Sequence, residues 1–209
     1  MEQMSPFYDT LYETILKTWP MITLFVVILI SVKISHMVIN HEKMIFYKDL
    51  YMLLAIIYFL LLYYLLLSME NDVSSGFNFI PFREMTRYKI GSKMFMYNVV
   101  GNIVLFIPFG YFISDVLKAK KISHILIVSL IVSLTAELIQ SQIGRAFDVD
   151  DIILNVVGAI LGFMVYISIQ AIKNHLPRVL QNNVFYNIIA ILVLLAIIFL
   201  FGSIWGIKI

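Results

Sequence analysis

Residues 50–69 contain no charged side chain and are almost wholly aliphatic or aromatic. That length matches the ~20 residues a helix needs to cross the hydrocarbon of a bilayer, where the backbone must satisfy its own hydrogen bonds. It marks a span at about 49–69, and stretches at about 19–39, 98–117, 122–141, 151–171 and 185–206 approach the same pattern. The expected fold is therefore all-α: a polytopic membrane protein of about six transmembrane helices, with residues 1–209 forming a single integral membrane domain. Composition agrees, because 61% of residues are hydrophobic and 13% charged, against ~25% charged in soluble domains. A mean hydropathy of +0.93 argues in the same direction.

Six spans put both termini on one side. The other side holds Lys33, Lys43, Lys48, Lys118, Lys120, Lys121, Lys173 and Arg178, all near its short connections, eight of the 15 basic residues. Four of the remainder, Arg83, Arg87, Lys89 and Lys93, fall in one long connection over residues 70–97. Basic residues in short loops mark the cytoplasmic side. Both termini and the long connection are thus expected to face outward. Ahead of the first span, Phe7, Leu11, Ile15 and Trp19 recur every fourth residue, with Asp9, Glu13 and Lys17 nearly opposite. This pattern predicts a short helix lying in the interface. Residues 1–18 lack the basic start and cleavage site of a signal peptide.

Several chemistries are argued against. A formal net charge of +2 with no long basic run gives no reason to expect nucleic acid as a partner. There is no cysteine, so disulfides, thiolate catalysis and Cys-ligated metals are excluded. His36, His41, His124 and His175 are scattered near helix ends, without zinc or catalytic spacing. The Asp148-x-Asp150-Asp151 group has carboxylates suited to calcium or magnesium but lacks the EF-hand register, and no phosphate loop is present. No metal or cofactor is expected.

Charge is concentrated instead between the fourth and fifth spans. Glu137, Gln140, Arg145, Asp148, Asp150, Asp151 and Asn155 lie within nineteen residues of otherwise apolar sequence. Isolated charge in hydrocarbon is costly, so such groups face one another, face water, or do chemistry. Glu137 and Gln140 are three apart on one helix face. Asp148, Asp151 and Asn155 share a face if the fifth helix starts early, which points Asp150 elsewhere; an aspartate there also caps free helix amides. Asn98 and Asn102, four apart in the third span, are the expected wall of a polar pocket with Asn155. Gly158 and Gly162 form a small-xxx-small pair for close helix packing. Phe79–Phe82 and Phe106–Phe109 share the sequence FIPF, but their flanks differ and no repeat is inferred.

Taken in order, Asn102–Gly110 (NIVLFIPFG), Glu137-x-x-Gln140, Arg145-x-x-Asp148-x-Asp150-Asp151 and Asn155-x-x-Gly158-x-x-x-Gly162 closely resemble the VanZ-like membrane proteins. Asn78–Phe82 (NFIPF) is similar to the segment before that family's central helices. The resemblance implies a four-helix core at about 50–170, with the helices at 19–39 and 185–206 as additions. It carries over Asn102, Glu137, Gln140, Arg145, Asp148, Asp151 and Asn155 as a functional polar cluster, and Arg83 and Arg87 more loosely, with no catalytic role attached to any. It also implies a bacterial cell membrane and, from the founding member, resistance to teicoplanin-type glycopeptides. Membrane lipid is one expected partner; a lipoglycopeptide or a lipid-linked wall precursor are the candidate ligands. Two readings stay open: a non-enzymatic factor binding an amphiphile at the outer leaflet, which is favoured, and an intramembrane enzyme acting on a lipid-linked envelope substrate.

Overall fold

A computed structural model describes residues 6–68 and 76–204. Residues 69–75, in the long connection, and 205–206, at the end of the last expected span, lie outside the described residues. The helices are α1 (Pro6–Asn40), α2 (Phe46–Ser68), α3 (Arg83–Arg87), α4 (Lys93–Phe95), α5 (Gly101–Leu117), α6 (Ile122–Gln142), α7 (Val149–His175) and α8 (Asn183–Ile204). A π-turn, Met96–Val100, joins α4 to α5, and two short strands, β1 (Phe77–Asn78) and β2 (Phe147–Asp148), pair in parallel. The protein is all-α and polytopic. Among the described residues, five helical stretches are long and apolar enough to cross a membrane: Tyr12–Asn40, Phe46–Leu67, Lys93–Leu117, Ile122–Gln142 and Val149–His175. In α8 the apolar stretch, Asn183–Phe199, is shorter.

The N-terminal segment departs from expectation. No separate interfacial helix forms; α1 runs unbroken through Trp19 and Pro20. Proline removes one backbone bond, but apolar surroundings favour continuing the helix around it. The inward face of this segment carries Thr14 and Thr18, both buried, whereas Trp19 is exposed. Thr18 satisfies its hydroxyl on the Thr14 carbonyl at 2.7 Å.

The chain divides into two compact units. One takes the described residues up to Met21 together with Tyr58–Ile169; the other takes Ile22–Ile57 and the chain from Gln170 onward. In the first unit the core gathers Leu62, Phe106, Phe109, Ala119, Ile125 and Ala159, flanked by Tyr58 and Phe59. The Tyr58 hydroxyl donates to the Leu105 carbonyl at 2.6 Å.

Helices α5 and α7 interlock through small residues. A Cβ on Gly158 would strike the Ile103 carbonyl and the Phe106 side chain, and one on Gly162 would strike the Ile107 carbonyl. The contact is reciprocal, since a Cβ on Gly110 would strike the Ala159 backbone. Bilayer helices associate by such packing because lipid supplies little hydrophobic drive between them. Gly162→Ala should therefore destabilise the protein by about 1–3 kcal/mol, the usual cost of overpacking. Gly76→Ala should leave stability unchanged, having nothing within 4 Å of the added methyl. Thermal unfolding of the two purified variants in detergent checks the contrast.

Candidate functional site

Helix α6 presents one buried polar stripe: Ser129, Ser133, Glu137 and Gln140. Each bond along it can be traced. Ser133 Oγ accepts from Asn155 Nδ2 at 2.9 Å, and Gln140 Nε2 donates to the Leu66 carbonyl at 2.6 Å. Glu137 is 2% exposed, and its Oε2 accepts the Asp148 amide at 3.0 Å. Beyond α6, Gly144 (φ 95°) turns the chain, and the Arg145 amide closes back on the Gln140 carbonyl at 3.1 Å.

The turn then pairs with the long connection. Phe77 lies opposite Phe147 and Asn78 opposite Asp148. Asp148 Oδ1 accepts from Asn78 Nδ2 and from the Asp150 amide, both at 2.8 Å. The second bond caps the first turn of α7. Burial raises the Asp148 pKa above the ordinary aspartate range; its two hydrogen bonds oppose the rise, and the Asp150 and Glu84 charges add to it.

Asp150 carries the largest share of the docking. Only 1% exposed, it accepts from the Phe82 amide at 2.5 Å, the Glu84 amide at 2.8 Å and the Met85 amide at 3.1 Å. These are the free donors at the start of α3, where Phe82 adopts φ 66° and no local side chain caps the helix. A carboxylate from α7 thus supplies the cap that the α3 sequence lacks.

Asp151 points into the opposite contact. Its Oδ1 accepts from Asn102 Nδ2 of α5 at 2.6 Å. The Arg145 charge acts on both Glu137 and Asp151, yet Arg145 Nη1 is buried without a hydrogen-bond partner among the described residues. Two buried acceptors are also unmatched there, Gln140 Oε1 and Asn155 Oδ1. Tyr88, just after α3, completes the surroundings. Its phenol is raised by burial and by the Glu84 charge, with Asp151 and Asp148 adding to the rise and Arg87 opposing it.

A model of the VanZ/LLP1 family matches residues 50–173. The chain belongs to the VanZ/LLP1 family. No curated protein and no solved structure matches it. The VanZ/LLP1 span contains all of the contacts just described and, with the apolar helices, makes this a multi-pass membrane protein.

Within that span, the structure brings Asn102 to Asp151, Glu137 to Asp148, and Arg145 into the electrostatic reach of Glu137 and Asp151. Asn155 turns to Ser133 of α6 rather than to the acidic turn or the third span. Asn98 does not join Asn102: it bonds the Met94 carbonyl at 3.2 Å, because the π-turn breaks the register that an uninterrupted α-helix would give the pair. Arg83 is exposed, and Arg87 pairs with Glu84 at 3.2 Å. Asp150 points elsewhere than Asp151, as expected, toward the long connection, and is the most deeply buried of the aspartates in this turn. Tyr88 carried no sequence signal beyond its place after two arginines.

Asp148 and Asp150 separate in a testable way. Asp150→Asn replaces one acceptor oxygen with a donor facing backbone amides, at about 1–3 kcal/mol for the unsatisfied groups. Amide hydrogen exchange over residues 77–88 should accelerate. Asp148→Asn retains an acceptor for both of its donors and sheds a half-buried charge, so exchange there should stay slow. As Asp148 is raised in the fold, its ionisation costs stability above its folded pKa, and that cost is relieved as pH falls through it. Relative to Asp148→Asn, the parent protein should gain stability on mild acidification.

Proposed function

We propose that this protein binds an amphiphile at the outer leaflet and so contributes to resistance to teicoplanin-type lipoglycopeptides. The supporting observation is the juxtaposition of an exposed aromatic surface with a buried polar cluster. Phe77 and Phe79 are 69% and 67% exposed, stack at 5.8 Å, and are backed by buried Phe147 at 6.3 and 5.4 Å. Phe82 is exposed beside them. The strand pairing and the Asp150 bonds hold this surface to the head of α7, next to Glu137, Arg145 and Asp151. An acyl tail suits the first part and a polar head the second, the usual composition of a ligand site. Arg145, whose Nη1 has no hydrogen-bond partner among the described residues, and the Glu137 and Asp151 carboxyls are the groups assigned to the head.

The enzymatic alternative draws on the same carboxyls, with Glu137 or Asp151 as general base and Arg145 holding a phosphate of a lipid-linked substrate. Deleting and restoring the gene separates the two. Binding or shielding changes teicoplanin susceptibility by several doubling dilutions, leaves vancomycin nearly unaffected, and leaves wall precursors unaltered. Altered precursors would assign the enzyme.

Glu137→Gln probes the site directly. Glutamine keeps an acceptor for the Asp148 amide but removes the charge facing Arg145. The variant should accumulate normally and lose the teicoplanin phenotype, whereas full activity would make Glu137 a structural clamp. Arg145→Gln should match it, and the double variant should be no worse than either single if the two act as a pair.

The outward orientation follows from the short-loop lysines. Lys120 is exposed between α5 and α6, while its neighbour Ala119 is buried. Lys120→Cys is therefore the reporter, in a chain with no cysteine of its own. It should resist an impermeant thiol reagent on intact cells and react after permeabilisation; labelling on intact cells would reverse the orientation.

A further inference from the structure

We propose a second binding site, built on Tyr47 and Tyr186, for the phosphate of an anionic lipid headgroup. It is independent of the polar cluster and of the function assigned to it. Tyr47 lies at the start of α2 and Tyr186 in the first turn of α8, with ring centroids 5.3 Å apart and planes tilted by 39°. Two asparagines of α8 fix the pair: the Tyr47 amide donates to Asn187 Oδ1 at 3.0 Å, and its hydroxyl to Asn183 Oδ1 at 3.5 Å.

Each ring carries a lysine. Lys48 Nζ stands 5.9 Å from the Tyr47 centroid. Lys173 Nζ, from the last turn of α7, stands 5.8 Å from the Tyr186 centroid. A ring face attracts an ammonium without using its N–H donors. Both lysines are exposed, and among the described residues neither has a carboxylate within ion-pair distance. Asp49, next to Lys48 in the chain, is taken by Lys33 at 3.2 Å. The Tyr186 hydroxyl is buried and has no hydrogen-bond partner among the described residues. Two ammonium groups and a phenol, all short of acceptors, call for a ligand that brings negative oxygens.

The surroundings favour a lipid over a free anion. Met44, Ile172 and Val184 flank these residues in the chain and are 58%, 62% and 67% exposed. Lysine and tyrosine at the ends of apolar helices sit at headgroup depth, and the adjoining aliphatic surface contacts acyl chains.

The test uses the purified full chain in a neutral detergent, following its unfolding midpoint against added phosphatidylglycerol, phosphatidylcholine with the same acyl chains, and inorganic phosphate. Phosphatidylglycerol should raise the midpoint and the other two should not, and the rise should shrink with added salt. Each basic residue that reaches the bound headgroup is worth about fivefold in apparent affinity. Lys48→Gln/Lys173→Gln should thus need roughly 25-fold more phosphatidylglycerol, while Lys48→Arg/Lys173→Arg and a Lys118→Gln/Lys121→Gln control respond as the parent does. An equal response to phosphatidylcholine, a salt-insensitive rise, or a Lys118/Lys121 effect as large as that of the pair would overturn the site. A response to inorganic phosphate alone would overturn the lipid assignment. Should the double glutamine variant fail to fold, the salt series and the arginine variant on folded protein still decide.

Discussion

The Asp150 carboxylate is the contact on which the rest of the polar end depends. Phe82 turns through a left-handed conformation, and the amides that follow have no cap of their own. One buried aspartate from α7 takes the Phe82 amide and two of those that follow it. Hydrogen bonds to an ionised acceptor are about twice as strong as neutral ones, and here they act where a helix N-terminus adds its own positive end. A segment joined to the helices by a two-residue strand pair would otherwise be weakly held. With Asp150 in place, Phe77, Phe79 and Tyr88 acquire fixed positions relative to the acidic turn.

The aspartates of one short turn divide the work by direction. Asp148 faces back along the chain and caps α7 while holding Asn78. Asp150 faces the long connection. Asp151 faces α5 and meets Asn102. Two of the three are thus committed to backbone or to loop attachment. Glu137 and Asp151 are the carboxyls that share the field of an arginine whose Nη1 has no hydrogen-bond partner among the described residues. The proposed ligand contact therefore draws on those two and Arg145 rather than on the whole acidic run.

Much of the helical layout was legible in the sequence because bilayer length and apolarity are strong, local signals. The glycine pair at 158 and 162 was legible too, but its partner was not: Gly110 lies in FIPFG, where nothing local marks it as facing Ala159. The direction of Asp150, different from that of Asp151, was legible as well, but its partners were not. Its position on the α7 wheel differs from that of Asp151, and helical periodicity can say which residues share a face but not what a distant loop will bring to the other one. The first helix misled through amphipathicity: apolar residues at every fourth position imply an interfacial face, yet buried Thr14 and Thr18 mark the packed side. Threonine returns its hydroxyl to its own helix and then packs as a small residue, which a hydropathy pattern does not register.

The interlocking of α5 and α7 also explains why the polar contact at their head can be short. Ile103 and Ile107 present carbonyls directly to Gly158 and Gly162, leaving no room for side chains between the backbones. Asn102 sits one residue before the first of these contacts and Asp151 two turns before Gly158. Close packing below therefore sets the separation above, and Asn102 reaches Asp151 at 2.6 Å without a bridging group. A larger residue at Gly158 would act twice, opening the helix pair and drawing an amide away from a carboxyl inside the bilayer's edge, where water replaces neither cheaply. Packing glycines and site polarity are in that sense one feature, which is why they recur together along the same strip of α7.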